Sequence, residues 1–298
     1  MTPSRPRKAE SIGRLRAIVA ASTIVLAIVS AACGGGEPGS DAGGEIDPQR
    51  IGPQGRVPQF VVECEVSHLA FDDPIVLPWQ PGASHQHQFF GNNAVDSDPG
   101  YERAIGATTS CDQRLDTASY WSPTLLDDRG ARIDALGLTA YYRPGNGVDH
   151  ADVVAYPAGF MMIAGDAAAA ETPDLDVVAW GCGGGARREV EPPACSSNST
   201  LRLWITFPDC WDGSRLSSFG SGAHVRYSDG GCPDSHPIAV PQLLMAIDFP
   251  PVDPTGLSLS SGSLETAHAD FWNTWDQDKL ESEVTNCLNR GLVCGLGS

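Results

Sequence analysis

The chain has 298 residues, of which 41% are hydrophobic, and its 37 acidic residues outnumber its 19 basic residues to give a net charge of −18. This length is sufficient for one large domain with a substantial core, and the apolar share with seven tryptophans excludes a wholly disordered protein. The acidic balance argues against a nucleic-acid-binding protein, because neutralising phosphates requires surfaces rich in Lys and Arg.

Residues 1–32 have the features of a secretory signal peptide. A basic segment that includes Arg5 and Arg16 precedes the uncharged apolar run 17–29, which is too short for a membrane span. Small residues then lead to Cys33, as in the bacterial lipobox, where the cysteine receives a lipid. We therefore expect a lipoprotein attached to the membrane through Cys33, with ordinary cleavage or an uncleaved anchor as the alternatives.

The remainder of the chain divides by composition into a tether and a domain. Residues 33–58 are rich in Gly, Asp and Pro and lack apolar periodicity, which predicts a flexible linker. From residue 59 to residue 298 the composition is that of one globular domain. The expected location is extracytoplasmic, at the cell surface or on the membrane.

The predicted elements of this domain are mostly strands. Short apolar runs bounded by Pro, Gly and Asp predict strands at 60–66, 177–182, 201–207 and 243–249. One helix is predicted near the C-terminus, with Asp276 as N-cap and Gly291 beyond its end. Many short strands separated by long Gly- and Pro-rich loops indicate a β-sandwich of jelly-roll type with a short C-terminal helix.

The cysteines are consistent with export. Besides Cys33 the chain contains eight: Cys64, Cys111, Cys182, Cys195, Cys210, Cys232, Cys287 and Cys294. An even number in an exported chain predicts four disulfides, whereas a thiolate metal site is disfavoured because no CxxC pair is present. Short loops favour pairing within 182–195, 210–232 and 287–294, which leaves Cys64 to pair with Cys111.

Histidines are the principal candidates for chemistry. His85 and His87 are spaced so that, on a strand, both imidazoles lie on one face and can reach one ion or one substrate. A third histidine from another strand would complete a β-type zinc site, and we name His224 as that ligand of a possible divalent metal. The cupin pattern fails, because no Glu follows the pair. A metal-free catalytic or sugar-binding role and a purely structural role remain open.

Further residues are candidates for acid and base catalysis. His268 and Asp270 repeat the two-residue spacing, which places a carboxylate and an imidazole on one strand face. Asp209 precedes Cys210 in a Pro-Asp-Cys-Trp-Asp-Gly segment, where forming a turn is the simpler role. The candidate catalytic set is His85, His87, His236, His268, Asp270 and Asp209.

Aromatic clusters are candidates for substrate binding. Tyr120, Trp121 and Trp272 either fill the core or form a platform on which a sugar ring stacks, since aromatic faces suit the apolar faces of pyranoses.

Several segments together resemble a known secreted family. They are Asp73-Pro74-Ile75-Val76, Gly82-Ala83-Ser84-His85-Gln86-His87, Tyr120-Trp121-Ser122-Pro123, Met162-Ile163-Ala164-Gly165-Asp166, residues 205–213, Ser235-His236-Pro237 and His268-Ala269-Asp270-Phe271. They are similar to the family catalogued as domain of unknown function nineteen ninety-six, whose fungal members are sometimes joined to WSC-type wall-binding modules. The resemblance implies a secreted, wall-facing protein and supplies no reaction.

Three functions are consistent with these features. The first is a carbohydrate-active enzyme, a hydrolase or lyase of polysaccharide or cell-wall glycan, with His and Asp as acid and base. The second is a His-ligated metalloprotein. The third is a non-catalytic binding protein of the envelope. An α/β-hydrolase is disfavoured, because no Gly-x-Ser-x-Gly motif is present.

Overall fold

The computed structural model describes residues 56–184, 187–218 and 222–295. The predicted signal peptide, Cys33 and nearly all of the predicted tether lie outside these residues. Within them, no helix is long and apolar enough to cross a membrane.

The described residues form a mainly β fold, as the sequence predicts. In chain order the strands are β1 (Gln59–Cys64), β2 (Val66–Ala70), β3 (His87–Gly91), β4 (Ser119–Pro123), β5 (Leu125–Leu126), β6 (Arg132–Ile133), β7 (Gly137–Arg143), β8 (Met161–Gly165), β9 (Val178–Cys182), β10 (Leu201–Thr206), β11 (Cys210–Trp211), β12 (Val225–Arg226), β13 (Ile238–Ala239), β14 (Gln242–Phe249), β15 (Ser258–Leu259), β16 (His268–Trp272) and β17 (Val293–Cys294). The α-helices are α1 (Tyr101–Ala104) and α2 (Gln277–Glu283), and single 3-10 turns occupy His150–Asp152 and Leu264–Thr266. The four strands predicted from apolar runs correspond to β1, β9, β10 and β14.

Two large sheets form the layers of a sandwich. A six-stranded sheet has the order β17-β1-β7-β14-β10-β9, and a five-stranded sheet has the order β2-β3-β4-β16-β8. One continuous core includes side chains from both sheets, with Phe60 and Tyr142 on the first and Tyr120 and Phe271 on the second. The hydroxyl of Tyr120 is hydrogen-bonded to that of Tyr142 across the layers. Alternation along each strand therefore sends every second residue of the five-stranded sheet outward, away from this core.

The C-terminal helix begins and ends where its sequence predicts. Asp276 caps α2, its Oδ1 accepting the backbone N–H of Lys279 at 2.9 Å. The chain continues as a π-helical segment over Val284–Leu288, and Gly291 adopts a positive φ of 69°. Leu280, Val284 and Leu288 are buried in the main core, so this helical segment covers one end of the sandwich.

Four disulfides cross-link the loops and strand ends. They join Cys64 to Cys111, Cys182 to Cys195, Cys210 to Cys232 and Cys287 to Cys294. Three of these pairs were expected from their short loops and the fourth, Cys64 with Cys111, as the remaining pair; all four are confirmed. Such a density of disulfides is typical of extracytoplasmic proteins.

Candidate metal centre

Three histidines converge on the outward face of the five-stranded sheet. The ring centroid of His85 lies 4.3 Å from that of His87 and 5.1 Å from that of His268, and the latter two are 5.8 Å apart. One ring nitrogen of each can be chosen so that the three atoms lie within 4.8 Å of one another. His85 is half-buried, while His87 and His268 are buried.

Strand register explains why residues so distant in sequence meet. In β4, Trp121 lies opposite Phe89 of β3 on one side and Asp270 of β16 on the other. His87 lies two residues before Phe89, and His268 lies two residues before Asp270. Both imidazoles therefore lie on the same face of the sheet as Trp121, Phe89 and Asp270, next to each other. His85 precedes β3 and reaches the pair from the loop.

Backbone carbonyls fix the orientation of two of the rings. Nδ1 of His87 lies 2.9 Å from the carbonyl oxygen of Asp72, and Nδ1 of His268 lies 2.8 Å from that of Thr266. A carbonyl only accepts, so each Nδ1 carries the proton and each Nε2 carries a lone pair. Hydrogen bonds of this kind orient the imidazoles of metal sites.

Several buried polar atoms at this centre have no hydrogen-bond partner among the described residues. Nε2 of His85 and Nε2 of His87 are buried without a hydrogen-bond partner among the described residues. The same is true of both carboxylate oxygens of Asp270, and Oδ2 of Asp270 lies 4.0 Å from Nε2 of His268. Burying polar atoms without a partner costs free energy, most of all for a carboxylate. A cation bound by the three imidazoles would satisfy Nε2 of His85 and of His87, and the Asp270 carboxylate would lie beside it.

The electrostatics favour the forms that bind a cation. Burial lowers the pKa of all three histidines. Burial and the neighbouring imidazoles together lower the pKa to about 4 for His85 and well below the ordinary value for His87. Neutral imidazole is the metal-binding form. Burial, with the nearby carboxylate of Asp73, raises the pKa of Asp270 well above its ordinary range, and a cation beside this carboxyl would favour its ionised form.

Unpartnered polar atoms extend along the same face beyond Asp270. They are Nε1 of Trp121, Nε1 of Trp272 and Oγ of Ser119, all buried. Both tryptophans pack with Phe89, Val95 and Ala104 in a small cluster that is separate from the main core. They are enclosed, so they form no exposed platform for a sugar.

The other predicted site residues lie in different surroundings. The third histidine of the group is His268, whereas the sequence analysis named His224; the ring of His224 packs on Phe160 at 5.0 Å, and its Nδ1 is 2.7 Å from Ser218 Oγ. His236 contacts the carbonyl of Ala223 at 3.2 Å.

Asp209 and Tyr120 are likewise placed away from the three rings. Asp209 is buried and accepts the backbone N–H of Ser228 at 3.0 Å. Tyr120 points into the main core, because it neighbours Trp121 on β4 and adjacent strand residues face opposite sides. Its hydroxyl donates to Asp116 at 2.6 Å, so it lines no groove.

A second group of potential ligands does not form a metal site. Cys64, Cys111 and Asp116 also lie close together, but the two cysteines are joined in a disulfide and offer no thiolate. The structure therefore defines one histidine-rich candidate centre in the part of the chain it describes.

The described residues thus form a β-sandwich cross-linked by disulfides, with a largely buried three-histidine site. The model of the family named Domain of unknown function (DUF1996) matches residues 73–275, and the chain belongs to that family. The matched range contains all three histidines and Asp270. No curated protein and no solved structure matches the chain significantly.

Proposed function

We propose that this protein is an extracytoplasmic metalloprotein in which His85, His87 and His268 bind one divalent transition-metal ion, with Zn²⁺ as the first candidate. The observation that carries the proposal is the convergence of one ring nitrogen from each of the three histidines. In two of these rings Nδ1 is hydrogen-bonded to a backbone carbonyl. Imidazole nitrogen is a preferred ligand of Zn²⁺ and Cu²⁺, whereas Ca²⁺ and Mg²⁺ prefer oxygen.

The geometry requires only small side-chain adjustments to hold an ion. Two nitrogens that each lie ~2.0–2.1 Å from a zinc ion are separated by roughly 3–4 Å. The ligand atoms of the three histidines all lie within 4.8 Å of one another, which is compatible with this separation. His85 is half-buried and precedes β3, so it is the ligand with the most room to adjust.

Asp270 is the residue that would act as the base in a reaction at this centre. If His85, His87 and His268 held a zinc ion, the ion would supply an activated water. The carboxylate of Asp270, whose Oδ2 lies 4.0 Å from Nε2 of His268, would be the group to accept a proton from it. We propose hydrolysis or elimination on a polysaccharide as the reaction.

A non-catalytic envelope protein is the second candidate, and the burial of the centre favours it. His87, His268 and Asp270 are at most 3% exposed, and closed metal sites are commonly structural. In that case metal removal lowers the melting temperature strongly, and no glycan is turned over.

The proposed location is the outer side of a membrane. Four disulfides support it, and we propose anchoring through lipid on Cys33. Replacing Cys33 by Ser should move the protein from the membrane fraction to the soluble extracytoplasmic fraction. An unchanged fractionation would contradict the lipid anchor.

Metal content of purified variants tests the central proposal. We expect about one zinc per chain in the wild type after loading and dialysis, and none in His87→Gln and His268→Gln. The control is His224→Gln, another buried histidine, which should retain its zinc. Loss in His224→Gln with retention in His268→Gln would contradict the assigned ligand set.

A further inference from the structure

The segment that leads to the histidines is a loop closed at its base. The backbone N–H of Ser84 donates to the carbonyl of Phe71 at 3.0 Å, and the N–H of Gly82 donates to the side chain of Asp72 at 2.8 Å. The carbonyl of Asp72 accepts Nδ1–H of His87. This 71–84 loop is therefore joined directly to the candidate metal centre, as a compact loop with close ends.

The 71–84 loop has a buried side and an exposed side. Ile75 packs against the Trp121 and Trp272 cluster on the outer face of the sheet, and the carboxylate of Asp73 accepts the N–H groups of Ile75 and Val76 at 2.9 Å. The opposite side presents Phe71, Val76 and Trp79, which are 52%, 54% and 66% exposed.

Trp79 is presented to solvent in a strained conformation. It has a φ of 64° and is the one non-glycine residue with positive φ in the ranges the structure describes. Its N–H donates to the carbonyl of Ser97 at 2.7 Å, which holds the backbone in place. Strain of this kind is concentrated at binding sites. The indole is 66% exposed, so its packing within the described residues offers little compensation for the strain.

We propose that the exposed indole of Trp79 is the stacking surface for a neutral glycan. A flat exposed indole suits the apolar face of a sugar ring, and it lies on the loop that precedes His85 and whose Asp72 carbonyl holds the ring of His87. The net charge of −18 disfavours anionic polymers and anionic membranes. That this glycan is the substrate of the centre rests on the proposed function. Trp79 thus takes the role that the buried Trp121 and Trp272 do not fill.

Depletion onto insoluble glycans tests the assignment. The probes are chitin, cellulose and a β-1,3-glucan, with vesicles of phosphatidylcholine and of phosphatidylglycerol in parallel. We expect the wild type to bind at least one glycan, Trp79→Ala to bind it at least tenfold more weakly, and Leu136→Ala to bind it unchanged. Leu136 is a matched control because it is 59% exposed just before β7.

Three outcomes would overturn the assignment: no glycan retained, equal retention of Trp79→Ala and wild type, or binding to vesicles alone. Zinc loading of Trp79→Ala separates this inference from the metal proposal, since the variant should bind zinc as the wild type does. Trp79-dependent glycan binding by a chain that binds no zinc would refute the metal centre and leave the stacking surface standing. Zinc binding without glycan retention would support the metal centre and refute the stacking surface.

Discussion

Nδ1–H of His87 donates to the backbone carbonyl of Asp72 at 2.9 Å and leaves Nε2 of the same ring buried and unpartnered. The bond connects a strand of the five-stranded sheet to the base of the 71–84 loop. It therefore fixes both the proposed metal ligand and the segment that presents Trp79.

Asp270→Asn should stabilise the metal-free protein while weakening metal binding. The carboxyl of Asp270 is buried with no hydrogen-bond partner in the part of the chain that the structure describes, so removing its capacity to ionise relieves on the order of 1–3 kcal/mol. Zinc affinity should fall ~10–100-fold, as for other groups that support metal ligands. Urea unfolding with a chelator and zinc titration measure the two effects.

The same substitution at Asp248 provides the control for Asp270. The Asp248 carboxylate accepts from Thr200 at 2.7 Å and from Arg202 Nε at 2.8 Å, so Asp248→Asn should destabilise the protein and leave zinc binding unchanged. Destabilisation by Asp270→Asn in the metal-free protein would show that its carboxylate is already compensated.

Trp79→Gly should raise the free energy of unfolding. Glycine adopts φ near 64° without the steric cost that Trp79 bears, and the exposed indole loses little packing. We expect a gain of about 1 kcal/mol, reduced in part by the greater freedom of glycine in the unfolded chain. Equilibrium unfolding measures it, and a loss of more than 1 kcal/mol would indicate that the indole stabilises the loop.

The disulfides should contribute according to the loops they close. Cys64 and Cys111 are 47 residues apart, whereas Cys287 and Cys294 are 7 apart. Chain entropy predicts losses of about 4 kcal/mol for the double alanine variant of the first pair and about 2.5 kcal/mol for the second. Comparing the two variants by urea unfolding tests the order, and a larger loss for the short loop would contradict the entropic account.

Asp116 should make stability depend on pH. Burial raises its pKa from 3.8 to about 8, so between these values the folded state holds a proton that the unfolded state has lost. Stability from this group is complete below pH 3.8 and is lost as pH rises through about 8. The stability of Asp116→Asn relative to wild type should therefore increase from pH 4 to pH 8. A difference that is constant over this range would contradict the raised pKa.

Local patterns predicted much of the fold and part of the site. Alternation in 201–207 marked β10 correctly, and the spacing of His268 and Asp270 placed both on one face of β16. The same alternation rule separates Tyr120 from Trp121, so they could not share a groove.

Other features depend on tertiary structure and were not accessible from the sequence. That His268 rather than His224 joins His85 and His87 follows from the order β3-β4-β16 in the sheet, which no local spacing encodes. Trp79 was missed as well. The sequence does place this tryptophan in the Pro- and Gly-rich stretch 78–82. Only the structure, however, shows that it is exposed and so differs from the tryptophans of the core.

X-ray absorption at the zinc edge of the zinc-loaded wild type tests the metal centre most directly. The account predicts one tightly held zinc with a first shell of about three imidazole nitrogens at ~2.0–2.1 Å, and loss of that shell in His268→Gln. Zinc removed by simple dialysis, or a first shell of oxygen or sulfur alone, would contradict it.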